Sequence, residues 1–355
     1  MVGIVFIGDI SLCPYLSKYV EICETLHMDY EVLFWNRSNE VTSLPDNYLS
    51  FKYQSNIRQS KITKALDFLK YKRWLDKQLK TRKYDKLIIL TTLSGILLYD
   101  ILKKYKGKYI FDIRDYSYEH IKVFYNMEKN IIKNSYFTCI SSTAFQSFLP
   151  EHNYVIAHNV QTEFLPIQRS FVKKQYGETL NLVWNGFLRY FNYQTKIIYR
   201  LKNDPRFNMI YYGWGPDIGR YKQFCDEHQV RNIQFMGRYQ NSEKPDILRD
   251  ADVLNNAYGT HVSNEVLYLM SNRYYDGLIF KIPQMVEDET YKCTVCQENG
   301  IGFPFTDDEN FADRLYDWYF SIEQEDFDQS CCELLEQITM EVEVYEKQIK
   351  EFLKV

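Results

Sequence analysis

In the segment Ser271-Asn272-Arg273-Tyr274-Tyr275-Asp276, a helix-start signal runs directly into a cation and an anion three residues apart. Ser and Asn are favoured helix caps, and Pro283 opens an apolar run, Ile282–Val286, that reads as a strand. A short helix is therefore expected between them, with Asn272, Arg273 and Asp276 on its first turn. Residues three apart share a helix face, and a helix N-terminus adds partial positive charge. A guanidinium in that position can grip a diphosphate, and a carboxylate beside it can accept both hydroxyls of a ribose. Spacing alone also allows an ordinary surface Arg–Asp pair.

Three apolar runs upstream each end in glycine: WNGFLRY at Gly186, YYGWGPD at Gly213 and Gly215, and FMGRY at Gly237. Glycine after a strand lets backbone N–H groups come close to a phosphate, and Arg189 follows Gly186 by three residues. Tight strand-to-helix turns explain the same glycines without any ligand. The first apolar run ends in Gly8-Asp9 and lacks the G-x-G-x-x-G of dinucleotide sites, and no P-loop is present.

The elements that must carry these residues alternate. In the first half, 2–8, 30–35, 86–92, 108–113, 135–141 and 154–159 read as strands; 14–27 and 62–79 have helical spacing. The rhythm breaks over 163–178 and restarts with 180–186, 207–215, 232–238, 251–257, 282–286 and 300–305. A helical pattern closes the chain from about residue 329. The expected fold is α/β, with two doubly wound, mostly parallel sheets facing a cleft. Its parts are an N-terminal domain 1–162, a linker 163–178, a C-terminal domain 179–328 and a final helix 329–355.

At 355 residues with 45% hydrophobic side chains, the chain can fill two cores. No apolar run is long enough to span a bilayer, and the N-terminus reads as a buried strand and not a signal peptide. A cytoplasmic location is expected, with its eight cysteines as reduced thiols. Cys293 and Cys296 with Cys331 and Cys332 offer a metal set of poor spacing. Residues 1–165 hold 22 Lys and Arg against 17 Asp and Glu, and the remainder 21 against 30. A basic first half suits anionic partners, including the inner face of a plasma membrane; an acidic second half argues against nucleic acid. The basic, aromatic stretch 71–86 is the candidate membrane contact, or else a solvated helix face.

Taken in order, NGFLRYF, YYGWGPD, NIQFMGR, RDADVLNNAYG, SNRYYDGLIFKIP and ENGIGFPFTDDE resemble the donor domain of glycosyltransferase family 4, of the GT-B fold. VEVYEKQIKEFLKV resembles that family's closing helix, which crosses back to the first domain. EVLFWNR and KYIFDIRDYSYE resemble segments of its capsule and exopolysaccharide members. The resemblance implies two Rossmann-like domains, the first for an acceptor and the second for a nucleotide-diphosphate sugar. It implies transfer, with retention of configuration, to a glycan or lipid-diphosphate-linked acceptor in cell-surface polysaccharide synthesis. It also implies no metal and no other cofactor. By the same resemblance Asp276 holds the ribose, Arg273 and Arg189 the phosphates, with Lys196 a poorer match for the family's second cation. Asp115 orients the acceptor or sugar; Arg114 and His120 share its loop. The family's first glutamate position falls on Tyr268, with Glu265 the nearest acid. A nucleotide-sugar epimerase of similar shape and a catalytically silent binding subunit are the alternatives.

Overall fold

The computed structural model describes residues 1–38, 43–55, 60–167, 169–259 and 265–354, except the side chains of Lys61 and Glu265. It divides into two compact units, Met1–His158 with Met340–Val355, and Asn159–Thr339.

Unit 1 is built on seven parallel strands: β1 Val2–Phe6, β2 Tyr30–Asn36, β3 Tyr48–Lys52, β4 Lys86–Leu90, β5 Tyr109–Ile113, β6 Phe137–Ile140 and β7 Tyr154–Ile156. Their order is β3-β2-β1-β4-β5-β6-β7. Helices α1 Leu16–Thr25, α2 Lys61–Thr81, α3 Thr92–Leu97, α4 Tyr99–Leu102 and α5 Lys122–Asn134 connect them. The central strands are buried on both faces, so they read as unbroken Val, Ile, Leu and Phe with no polar alternation. β3 escaped the sequence reading: it is a half-buried edge strand without a clear period.

Unit 2 repeats the plan with β8 Leu180–Asn185, β9 Phe207–Tyr212, β10 Ile233–Gly237, β11 Val253–Asn256, β12 Gln284–Glu287 and β13 Gly302–Phe305, in the order β10-β9-β8-β11-β12-β13. Its helices are α6 Phe191–Arg200, α7 Ile218–Glu227, α8 Lys244–Ile247, α9 Glu265–Tyr268, α10 Asn272–Phe280, α11 Tyr291–Glu298 and α12 Phe311–Ser321. In both units the strand order reverses beside the first strand, the place where doubly wound sheets take ligands at their carboxyl ends. In unit 2 that place lies between β8 and β11.

Helix α13, Gln324–Lys354, begins in unit 2 and ends in unit 1. There Tyr345, Ile349, Phe352 and Leu353 join the core formed by β1, β2, β4 and α1. A buried polar knot fixes the same helix. Arg114 Nε and Nη2 donate to Asp112 at 2.5 and 2.9 Å, and Nη1 to the Ala157 carbonyl at 2.6 Å. Tyr19 adds a hydrogen bond to Asp112 at 2.8 Å, and its ring meets Tyr345 edge to face at 5.9 Å.

No helix among the described residues is long and apolar enough to cross a membrane. No cluster of three His, Cys, Asp or Glu side chains suited to a metal occurs among them either, and Cys293 and Cys296 are buried free thiols within α11.

Glu128, on α5, is fully buried. Burial, then the nearby Glu119, push its carboxyl from 4.5 up to about 8, with Thr92 opposing; Tyr154 is its other ionisable neighbour. From about pH 4.5 to 8 the folded chain keeps a proton that the unfolded chain has released, so stability falls as pH rises through that window. Glu128→Gln removes the cost of keeping that proton. Its melting midpoint should exceed the wild type's by a few degrees at pH 8 and match it at pH 5. A gap independent of pH would show that the carboxyl titrates normally.

Candidate nucleotide site in unit 2

The chain over 271–287 folds as its residue types dictate. Ser271 caps α10, accepting from the Tyr274 N–H at 3.3 Å, while its hydroxyl donates to Asn256 Oδ1 at 2.5 Å. Asn256 donates in turn to Gln284 Oε1 at 2.8 Å, and Gln284 Nε2 to the Tyr274 carbonyl at 3.1 Å. This chain of buried amides ties the start of α10 to β11 and β12. Gly277 permits the contact, because a Cβ there would lie 2.3 Å from Gln284 Nε2.

So positioned, Arg273 turns inward. It is 3% exposed, with its guanidinium carbon 3.4 Å from the Trp184 ring centroid and 4.5 Å from that of Tyr258. Its Nη1 reaches the Asn185 carbonyl at 3.5 Å; its buried Nε has no partner among the described residues. No carboxylate there forms an ion pair with it. Trp184 Nε1 and Asn185 Oδ1, at the end of β8, are likewise buried and unpartnered. Stacking on aromatic faces stabilises a cation. However, a positive side chain in the first turn of a helix opposes the helix dipole, and buried polar atoms without partners are rare. Together these are the marks of a place for an anion.

Asp276 falls on the second turn of α10 and not, as expected, on the first, because it lies more than one turn of about 3.6 residues beyond Asn272. It is buried, and receives hydrogen bonds from Lys244 Nζ at 2.9 Å and Asn185 Nδ2 at 2.8 Å. Lys244 also donates to Gln161 Oε1 at 2.5 Å. Across β11, buried Glu287 accepts from the Tyr258 N–H at 2.9 Å and pairs with buried Lys292 at 3.0 Å. Burial alone would push the Tyr258 phenol up, yet Arg273, Lys292 and Arg189 outweigh it and hold the phenol below its ordinary range. Tyr239 goes the other way, to about 12, through burial and then Asp276.

The remaining expected residues divide. Arg189 is exposed, stacks on Tyr190 at 4.7 Å, and is near enough to act on Tyr258. Asn272 is exposed and accepts from Asn159 at 2.5 Å. Gly186, Gly213 and Gly237 adopt positive φ, 135°, 133° and 85°. A Cβ on Gly213 would lie 1.7 Å from the Gly186 oxygen, and one on Gly215 2.0 Å from that of Leu188. The Gly186 N–H bonds to Tyr212, that of Leu188 to Trp214 and that of Gly213 to Gly237. These glycines thus pack one strand-end loop against the next, with the N–H groups of Gly186 and Gly213 taken up between loops. Lys196 pairs with Asp307 on the surface at 3.2 Å. Asp115 is exposed past β5 in unit 1, and His120 stacks on Tyr116. Tyr268 lies in α9, and the Glu265 side chain lies outside the described residues.

Trp184, Lys244, Tyr258, Glu287 and Lys292 were not singled out in the sequence. Only Lys292, a buried cation following a capping Thr290, sits in a pattern resembling that of Arg273.

The architecture is that of the GT-B class: two Rossmann-like parallel sheets with flanking helices. No protein-family model matches the sequence, and no curated protein matches it. Solved structures share its fold over nearly the whole length. Sucrose-phosphate synthase from Thermosynechococcus elongatus superposes with a TM-score of 0.70 at 9% identity, covering 100% of this chain and 99% of that one. HepE from Anabaena, in complex with UDP and glucose, gives 0.62 at 12% identity, covering 99% of each chain. A putative UDP-N-acetylglucosamine 2-epimerase from Listeria monocytogenes gives 0.58 at 10%, covering 93% of this chain and 90% of its own.

Gly213→Ala should destabilise unit 2 by about 1–3 kcal/mol through its φ alone, and by more through the clash with Gly186. Gly219→Ala, within α7 and with open space around it, should be neutral or slightly stabilising. Thermal melts of the two variants test this; equal midpoints would refute the loop-packing role.

Proposed function

We propose that the chain is a glycosyltransferase that moves a sugar from a nucleoside-diphosphate sugar to a glycan or lipid-linked acceptor in cell-surface polysaccharide synthesis. The observation that carries this is Arg273, a buried cation without a carboxylate, at the first turn of α10 and at the carboxyl edge where the strand order reverses. As the glycosidic bond breaks, negative charge grows on the departing diphosphate. Fixed cations and the α10 N-terminus stabilise that charge without needing to reorganise. Arg273 and Arg189 take this role, with the Gly186 turn beside them. Because these groups meet the diphosphate charge, the reaction needs no divalent metal. Each Asp276 oxygen has one lone-pair position taken, by Lys244 or Asn185; the others accept the pentose hydroxyls. Asp115 orients the acceptor or the sugar. Retention at the anomeric carbon follows from the resemblance to family 4. UDP is the first nucleotide to test, since HepE holds it within a similar fold.

Helix α2 supports a peripheral place at the inner face of the plasma membrane. It carries seven Lys and Arg against two Asp, and exposes Ile62, Leu66 and Leu69 at i, i+4 and i+7. Apolar side chains flanked by basic ones suit an anionic lipid surface.

Two results test these readings. In a chelator-containing buffer, UDP or another nucleoside diphosphate should raise the melting midpoint of the wild type but not of Arg273→Ala; an unchanged shift in the variant would sink the phosphate assignment. Product analysis with and without acceptor then separates transfer from interconversion of the donor. In flotation with anionic liposomes at low salt the protein should rise with the vesicles, and Leu66→Glu should stay behind. Wild-type protein left at the bottom rules out the membrane contact.

A further inference from the structure

At the opposite, amino-terminal edge of the unit 2 sheet lies a cavity of about 720 Å³. Asn181 is the second residue of β8 there, Asp252 precedes β11 and Ile282 precedes β12. Its volume is in the range of small-molecule sites.

The charges in its wall are unevenly matched. Lys174 pairs with Asp252 at 2.7 Å, and Arg249 pairs with Asp246. Arg169 and Lys281 have no carboxylate partner among the described residues. Arg169 donates to the carbonyls of Pro245 and Leu248 at 2.7 and 3.3 Å and stacks on Phe280 at 5.1 Å. Lys281, 7% exposed, donates to the Asp328 carbonyl and to Cys332 Sγ, both at 3.1 Å. A guanidinium has five donors and an ammonium three, so both cations keep donors in hand. The C-terminal dipole of α10 offsets part of the Lys281 charge but accepts none of its remaining hydrogen bonds. Lys281 also holds a left-handed backbone, φ 55°, at the helix cap where glycine is usual. Asp250 is the one lining carboxylate outside these pairs.

We infer that this cavity is a second binding site, for a phosphomonoester of small-sugar size. The phosphate sits between Arg169 and Lys281, where a dianion matches two cations held by neutral partners. Asn181 and Asp250 at the rim take hydroxyls. The site is independent of the nucleotide reading, since none of its residues contributes to that one. Helix α10 does border both, with Arg273 in its first turn and Lys281 at its last.

Calorimetric titration of the full chain with inorganic phosphate and with ribose 5-phosphate tests this. Both should bind the wild type, the sugar phosphate more tightly. Arg169→Gln with Lys281→Gln should abolish binding. Val172→Glu, a substitution at an exposed residue of the rim, should weaken it about twofold or more by charge alone without touching the core. Arg273→Ala should leave it unchanged. Absence of binding in the wild type overturns the inference. So does binding that Arg273→Ala removes and Val172→Glu spares, which would place the phosphate at the nucleotide site.

Discussion

Arg273 lays a full positive charge against the faces of Trp184 and Tyr258 and against no carboxylate, in a position almost closed to solvent. Moving a charge out of water costs several kcal/mol unless something answers it. Aromatic faces return about 2 kcal/mol when the cation is desolvated, and hydrogen bonds to the Asn185 carbonyl and the Tyr258 phenol leave the charge itself unneutralised. The surrounding polar groups hold that charge in place without neutralising it. Ser271, Asn256 and Gln284 pin the helix from one side, and Lys244 and Asn185 answer Asp276. Glu287 is spoken for by Lys292. Asp276 and Glu287 each have their own cation, and among the described residues no carboxylate pairs with Arg273.

This arrangement explains why Tyr258 is the odd phenol of unit 2. Most buried tyrosines there, such as Tyr211 and Tyr221, are pushed up by desolvation, whereas Tyr258, half-buried beside them, is held down by surrounding positive charge. A phenol reports the local potential without making it. The Tyr258 phenol is held low by the same Arg273, Lys292 and Arg189 that make this edge of the sheet electropositive.

The large features could be read from the sequence because they rest on short-range rules. Parallel strands buried on both faces are continuous apolar runs, and all but β3 stood out. Ser271 and Pro283 bracketed α10. What stayed hidden depends on contacts across long stretches of chain. Lys244, in a short helix behind Glu243, looks like any solvated lysine until Asp276 arrives from 32 residues away. Trp184 looks like core filling until Arg273 stacks on it from 89 positions later in the chain. The glycines were legible as necessary but not for their reason. The need for φ > 0 shows in the residue type, but the neighbour whose carbonyl forbids a side chain does not.

Helix α13 makes unit 1 discontinuous in sequence. Its sheet is complete at Ile156, yet the core beneath β1 and α1 still lacks Tyr345, Ile349, Phe352 and Leu353. During synthesis those side chains leave the ribosome only after all of unit 2. The first unit made is therefore the last to close, and until then Tyr19 and the Asp112–Arg114 pair stand with one wall open to water.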